Sequence, residues 1–268
     1  MKDTAMLRGE ESDMTSFRVL VASDLHLDTR TEAGQAAIQR AKAALGSLGG
    51  TGDLAQAVLL LGDLGEDSDR AGYDVLAAIT APFANRVLAV PGNHDDPALL
   101  AQAICPPPGP PSTRGHCRLI TTGGTAIALS SSVVGAPHGE LGSDDLAWLA
   151  TVLDEAEGSP VVVGLHHSPL VTELAEPDAM GLRVGREEFV SLVQSYPGPV
   201  AVVAGHYHIA RTCMREGVQY VLNPSLSGTP GLWPLWPQCD AIAPRANGMT
   251  ALSLDTHGAW HVEFIGGW

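Results

Sequence analysis

The sequence predicts an α/β fold. Apolar runs of strand length recur along it, each followed by a short polar cluster and most then by a stretch with helical amphipathic spacing. The runs are continuous in Val, Leu and Ala, without the polar alternation of a half-exposed strand, as strands covered on both faces require. A length of 268 residues and a hydrophobic content of 45% allow one large core, so a single domain over residues 17–268 is expected.

The first run, residues 19–22, is entered from Phe17 and left at Ser23-Asp24. An Ala-rich helix is expected over residues 34–48, stopped by Gly49-Gly50. The second run, residues 57–61, breaks at Gly62-Asp63, and the third, residues 87–90, breaks at Pro91-Gly92-Asn93-His94. Residues 73–79 read as a helix between them. Five prolines within residues 105–115 exclude helix and central strand there and mark a stiff surface loop. Strands are expected at residues 118–122 and 126–131. A helix follows, with Ser143 as N-cap, Asp144 and Asp145 in its first turn, and Trp148, Leu149, Val152 and Leu153 on its buried face.

Two further runs, residues 161–165 and 200–204, each end directly in histidines, and residues 187–194 between them read as helix. Beyond Val221-Leu222, residues 223–247 form a loop rich in Pro and Trp. Its Asn223, Trp233 and Trp236 could stack an aromatic part of a ligand or anchor the loop. Strands at residues 249–254 and 260–265, joined by a turn at His257-Gly258, close the chain.

Fifteen Lys plus Arg against thirty Asp plus Glu give a formal charge of -15, which repels a polyanion and argues against duplex nucleic acid as partner. A small phosphorylated substrate stays compatible, because bound divalent cations reverse the field locally. The four cysteines show no CxxC or zinc-knuckle spacing and read as reduced thiols. Residues 1–16 have no apolar core and no secretory pattern. They read as a disordered N-terminal extension, within which Met14 is an alternative start. No run is long enough to span a membrane, so a cytoplasmic location without a membrane partner is expected. The C-terminal strands offer a surface for a homo-oligomer, with the oligomeric state left open.

The strongest signal is positional. Five apolar runs each deliver metal-ligating side chains just beyond their last apolar residue: Asp24-Leu25-His26, Gly62-Asp63, Gly92-Asn93-His94-Asp95, His166-His167 and Gly205-His206-Tyr207-His208. The carboxyl ends of neighbouring strands in an open α/β sheet converge on one edge, where all five clusters can meet. Singly each has a bland explanation, Gly-Asp after a strand being commonly a turn; five in this order do not. In an extended segment His206 and His208 share one face, as do Asp24 and His26, with Leu25 and Leu27 in the core.

The order D-x-H, G-D, G-N-H-D, H-H, G-H-x-H resembles the calcineurin-like metallophosphoesterase superfamily over residues 17–208. The Ser-Asp-Leu-His-Leu opening and short length are similar to its bacterial cyclic-nucleotide phosphodiesterase branch. The protein Ser/Thr phosphatases open instead with Gly-Asp-x-His-Gly and carry Gly-Asn-His-Glu. The resemblance implies a four-layer α/β/β/α sandwich of two mixed β-sheets flanked by helices, and hydrolysis of a small phosphoester, a phosphodiester before a phosphomonoester. A non-catalytic binding module on the same fold is the alternative from another class.

The chemistry suits these residues. Two divalent cations about 3.5–4 Å apart can hold a phosphoryl group, activate a bridging hydroxide and neutralise developing charge. By the resemblance, Asp63 bridges the two, Asp24, His26 and His208 complete the first shell, and Asn93, His206 and either His166 or His167 complete the second. Mixed oxygen and imidazole ligation suits Mn, Fe, Co or Zn. His94 resembles the family's proton donor to the leaving oxygen, with Asp95 expected to orient its other nitrogen and raise its pKa. Asp28 and Asp96 read as turn or helix-start residues, and His116, His138, His257 and His261 as structural.

Overall fold

A computed structural model describes residues 17–48, 55–66, 69–105, 107, 110–171, 175–228 and 247–267. The expected extension over residues 1–16, the Gly49-Gly50 stop, Trp233 and Trp236 lie outside them. In chain order the elements are β1 (Phe17–Ala22), α1 (Glu32–Leu48), β2 (Ala57–Leu61), α2 (Arg70–Thr80), β3 (Val87–Val90), α3 (Pro97–Ala103), β4 (Cys117–Ile120) and β5 (Thr125–Leu129). There follow β6 (Gly139–Glu140), α4 (Ser143–Glu155), β7 (Val161–Leu165), α5 (Ala175–Met180), β8 (Leu182–Val184), α6 (Arg186–Ser195) and β9 (Val200–Ala204). The last strands are β10 (Arg211–Arg215), β11 (Val218–Leu222), β12 (Gly248–Leu254) and β13 (Trp260–Gly266).

Two mixed sheets face each other. One has the order β13-β12-β1-β2-β3 and the other β10-β11-β9-β7-β5-β4, with β6 and β8 forming a small third sheet. The central strands β1, β2 and β3 run parallel, as do β5, β7, β9 and β11; β4, β10, β12 and β13 pair antiparallel at the margins.

Alternate residues of each continuous run serve different layers, because strand side chains point to opposite faces. Val19, Val21, Leu59 and Leu61 meet Ala126, Ala128, Val162, Ala201 and Val203 between the sheets. Val58 and Leu60 turn outward onto Ile38, Ala41 and Leu45 of α1 and Tyr73 and Leu76 of α2. Val161, Val163, Leu165 and Val202 turn the other way, onto Leu149, Val152 and Leu153 of α4 and Phe189 and Val193 of α6. The result is the α/β/β/α sandwich, and each Leu or Val buried in it contributes about 1.5–3 kcal/mol.

Local chemistry moved some boundaries. Ser143 is the first residue of α4, not its cap: Gly142 takes that place, and its N–H donates to the Asp145 carboxylate at 2.8 Å. Helix α3 is opened by Asp96, read from the sequence as a turn or helix-start residue, whose carboxylate accepts from Ala98 N at 2.8 Å and Leu99 N at 3.1 Å. Asp28 accepts from Arg30 N in a turn, as expected. Among the described residues no helix is long and apolar enough to cross a membrane.

Candidate metal centre

The five clusters do meet, but across two sheets: Asp24, His26, Asp63 and Asn93 follow β1, β2 and β3, while His166, His167, His206 and His208 follow β7 and β9 of the facing sheet. The expected one-face alternation is not how the pairs are presented. Asp24, His26, Asp63, His206 and His208 all have positive φ, between 48° and 72°. Each costs about 1–2 kcal/mol relative to right-handed backbone and is held there by surrounding bonds. Asp24 N donates to Gly62 O and His26 N to Asp63 O, both at 2.9 Å, so the turns after β1 and β2 lock one another. Leu25 and Leu27 are fully buried beneath them, as expected.

Glycine permits the close approach. A Cβ on Gly92 would stand 2.1 Å from Asp63 Oδ1, and one on Gly62, itself at φ 79°, would stand 2.4 Å from His166 Nδ1. Neither space admits a side chain.

Two ligand clusters share Asp63. In the first, His208 Nε2 lies 3.2 Å from Asp24 Oδ1 and 3.5 Å from His26 Nε2, which is 3.9 Å from Asp63 Oδ2. In the second, His166 Nε2 lies 3.2 Å from Asn93 Oδ1, 3.2 Å from His206 Nδ1 and 3.4 Å from Asp63 Oδ1. The two oxygens of Asp63 thus face different clusters. Among the described residues four sets of ligand atoms each fall within 4.8 Å of one another: Asp24, His26 and His208; Asp24, Asp63 and His166; His166, His167 and His206; and His26, Glu66 and His94.

Two tautomers are set from behind. The carbonyl of Leu61 lies 2.9 Å from His166 Nδ1 and only accepts, so Nδ1 keeps its hydrogen and Nε2, facing Asn93, His206 and Asp63, is the nitrogen that would give up its proton to a bound cation. Likewise His26 Nδ1 donates to Glu66 Oε1 at 2.5 Å, leaving Nε2 for the first cluster. Carboxylate oxygens and imidazole nitrogens converging in this way need positive charge among them, which protons supply on the free imidazoles and divalent cations would supply in their place, so the donor set fits such cations.

The electrostatics agree. Burial alone would lower the pKa of His166, but the Asp63 and Asp24 carboxylates outweigh it and hold the imidazole up at about 9. Burial would raise Asp63, yet His166, His26 and the His94 N–H bring it well below the usual carboxylate range. Burial, with His166 beside it, pushes His206 down to about 3. The site therefore draws in positive charge within an acidic chain.

His166 and His167 are distinguished by their neighbours. His167 Nδ1 pairs with Ser131 Oγ at 2.9 Å, and its Nε2, like that of His206, is buried without a partner among the described residues.

Asp95 requires a correction, because it does not orient His94. Its carboxylate accepts from the backbone N–H of Leu64, Gly65 and Gly92 and from the Tyr73 hydroxyl, tying the turns after β2 and β3 together. The group on His94 is Glu66, whose Oε2 accepts from Nδ1 at 3.1 Å. Burial acts to raise the Glu66 carboxyl, but the bonds from His26 and His94 hold it down at about 2. Sequence reasoning missed Glu66; the available signal was an acidic residue three positions after Asp63. Of the residues held structural, His116 is buried against Asp145, and His138 and His261 pair with Glu140 and Asp255. Asn223 is buried beneath Asp24, placed for anchoring and not for stacking a ligand.

The chain is similar to several known proteins. A 3',5'-cyclic adenosine monophosphate phosphodiesterase, CpdA, of Vibrio vulnificus is 30% identical over 63% of this chain, a match that spans 60% of that protein's length. A probable cyclic nucleotide phosphodiesterase of Synechococcus is 32% identical over 76% of this chain and 78% of its own. A cAMP/cGMP dual specificity phosphodiesterase of Mycobacterium tuberculosis is 30% identical over 79% of this chain and 68% of its own. In fold, a dimetal phosphatase of Danio rerio superposes with a TM-score of 0.65 at 16% identity, over 93% of this chain and 96% of that one. The family model for calcineurin-like phosphoesterases matches residues 17–210, a span that takes in all five strand-end clusters. This chain belongs to the calcineurin-like phosphoesterase family.

Proposed function

We propose that the chain is a hydrolase of small phosphodiesters, with cyclic nucleotides as the substrate class its relatives favour. One observation carries the reading: the two oxygens of Asp63 face two separate ligand clusters, one around His208 and one around His166. Asp24, His26, Asp63 and His208 would hold a first divalent ion, and Asp63, Asn93, His166 and His206 a second. His166 takes this place over His167 because its Nε2 faces three other candidate ligands. Manganese, iron, cobalt and zinc all suit the donor set.

Ions so held would polarise the phosphoryl oxygens and neutralise the charge that develops there. The chain's own residues do the rest. His94, with a side chain 45% exposed, stands at the mouth of the site 5.1 Å from the His26 ring. Glu66 holds its Nδ1 end, so Nε2 is the nitrogen that would give a proton to the leaving oxygen. The buried carboxylates and imidazoles would set where a phosphoryl group rests, and the fully buried Leu25, Leu27 and Leu64 give the turns that carry them an apolar footing.

The test is turnover of a bis-ester, a mono-ester and a cyclic nucleotide after reconstitution with each metal. Hydrolysis of the diesters, lost in Asp63→Ala, is expected. Full activity in Asp63→Ala would remove the proposal, and turnover of mono-esters alone would make the chain a phosphomonoesterase.

A further inference from the structure

A buried line of hydrogen bonds runs from strand β12 to the carboxylate of Asp24. Thr250 Oγ1 lies 2.7 Å from Asn223 Oδ1, Asn223 Nδ2 lies 2.8 Å from Ser23 Oγ, and Ser23 Oγ bonds Asp24 Oδ2. Thr250, Asn223, Ser23 and Asp24 are all fully buried. Thr250 and Asn223 lie beyond residue 210, outside the stretch that the family model matches.

The direction of every bond is determined. Asn223 Nδ2 also lies 2.9 Å from the carbonyl of Pro224, which only accepts, so this end of the amide is the donor. Its other end is then the carbonyl, to which Thr250 must donate. Ser23 Oγ accepts from the amide and spends its one hydrogen on Asp24, which as a carboxylate only accepts. All donors therefore point toward Asp24. The His206 N–H, 3.1 and 3.2 Å from Oδ1 and Oδ2, adds a second restraint, and Oδ1 is the oxygen turned to His208 at 3.2 Å.

The backbone repeats the pattern. Leu226 N donates to Ser23 O at 3.1 Å, Ser227 N to Asp24 O at 3.0 Å, and Ser225 Oγ to Asp24 O at 2.9 Å. The segment leading out of β11 thus grips the left-handed turn at Asp24 from below.

We infer that Thr250 and Asn223 are positioning residues that, through Ser23, aim the Asp24 carboxylate at the first metal ion. The inference rests on the reading of Asp24 as a ligand of that ion. A partner bonded to the far side of a ligand fixes its orientation, and losing such a partner typically costs 10–100-fold in metal affinity. Valine at position 250 keeps the shape and the β-branched strand preference while removing the hydroxyl, leaving Asn223 Oδ1 buried without a donor. Serine restores the hydroxyl without the methyl group.

The experiment loads metal-free full-length protein with Co2+ and follows its visible absorption against a competing chelator. Asp24→Asn identifies which binding step belongs to the first ion. Thr250→Val is expected to weaken that same step by about 10–100-fold and leave the other within about twofold, with Thr250→Ser close to wild type. Unchanged binding of both ions in Thr250→Val overturns the inference, as does Thr250→Ser binding as weakly as Thr250→Val. If Asp24→Asn itself leaves both steps intact, the assignment of the first ion's ligands falls, and the inference with it.

Discussion

Glu66 accepts a hydrogen bond from His94 through one carboxylate oxygen and from His26 through the other, so a candidate metal ligand and a candidate proton donor are oriented by one side chain. Two roles at once call for two readouts. Glu66→Gln keeps the size but not the charge, and turnover is expected to fall by about 10–100-fold. His94→Ala is expected to keep both ions bound while turnover falls by about 10²–10⁴-fold. Metal content measured alongside kcat separates the two, and loss of metal in His94→Ala would make that residue structural.

Asp95 is expected to matter for stability before chemistry. Asp95→Ala strands three backbone donors and the Tyr73 hydroxyl at the joint between two ligand-bearing turns. The loss should be on the order of 3 kcal/mol in denaturant unfolding. An Asp95→Ala protein that unfolds like wild type would contradict this role.

His166→Ala should remove the second ion, whereas His167→Ala should keep it, because Nε2 of His166 alone faces Asn93, His206 and Asp63 together. Metal counting on the two variants decides the matter. Loss of one ion in His167→Ala with both kept in His166→Ala would exchange the assignments.

Away from the site, His116 gives the fold an acid-sensitive point. Its Nδ1 accepts from Ser130 N at 3.0 Å and its Nε2 donates to Asp145 at 2.8 Å, so a proton added at Nδ1 would face another N–H. Burial pushes its pKa below the ordinary 6.5, with the Arg114 charge acting in the same direction and Asp145 opposing. A folded-state pKa below the unfolded one means the contribution is full above about 6.5 and is lost as pH falls through the folded value. His116→Gln should cost about 1–3 kcal/mol at pH 8, and its gap from wild type should narrow below pH 6.5 in thermal melts. A gap constant between pH 8 and 5 would contradict the assignment.

Strands buried on both faces were legible to the residue: β2, β3, β7 and β9 begin and end where their apolar runs do, because only runs without polar side chains can serve two layers. Strand β10 was not, since Arg211 to Arg215 is an exposed margin held by pairing with β11 and carries no apolar signal. The ligand-type residues were readable by type and order. Their backbone was not, because the positive φ at Asp24, Asp63 and His206 is imposed by bonds between turns far apart in sequence. The same reason hid Glu66 and misplaced Asp95: adjacency to His94 suggested a contact that the turn geometry gives to a residue 28 positions away. Nothing local to His166-His167 separates the pair; the Leu61 carbonyl behind His166, 105 positions away, does.

The two oxygens of Asp63 are placed to be shared between two metal ions. Crystals grown with Mn2+ and measured by anomalous diffraction test it most directly. Two peaks are expected, one contacting Asp24, His26, Asp63 and His208 and the other Asp63, Asn93, His166 and His206. A single peak, or two peaks of which only one touches Asp63, would contradict it.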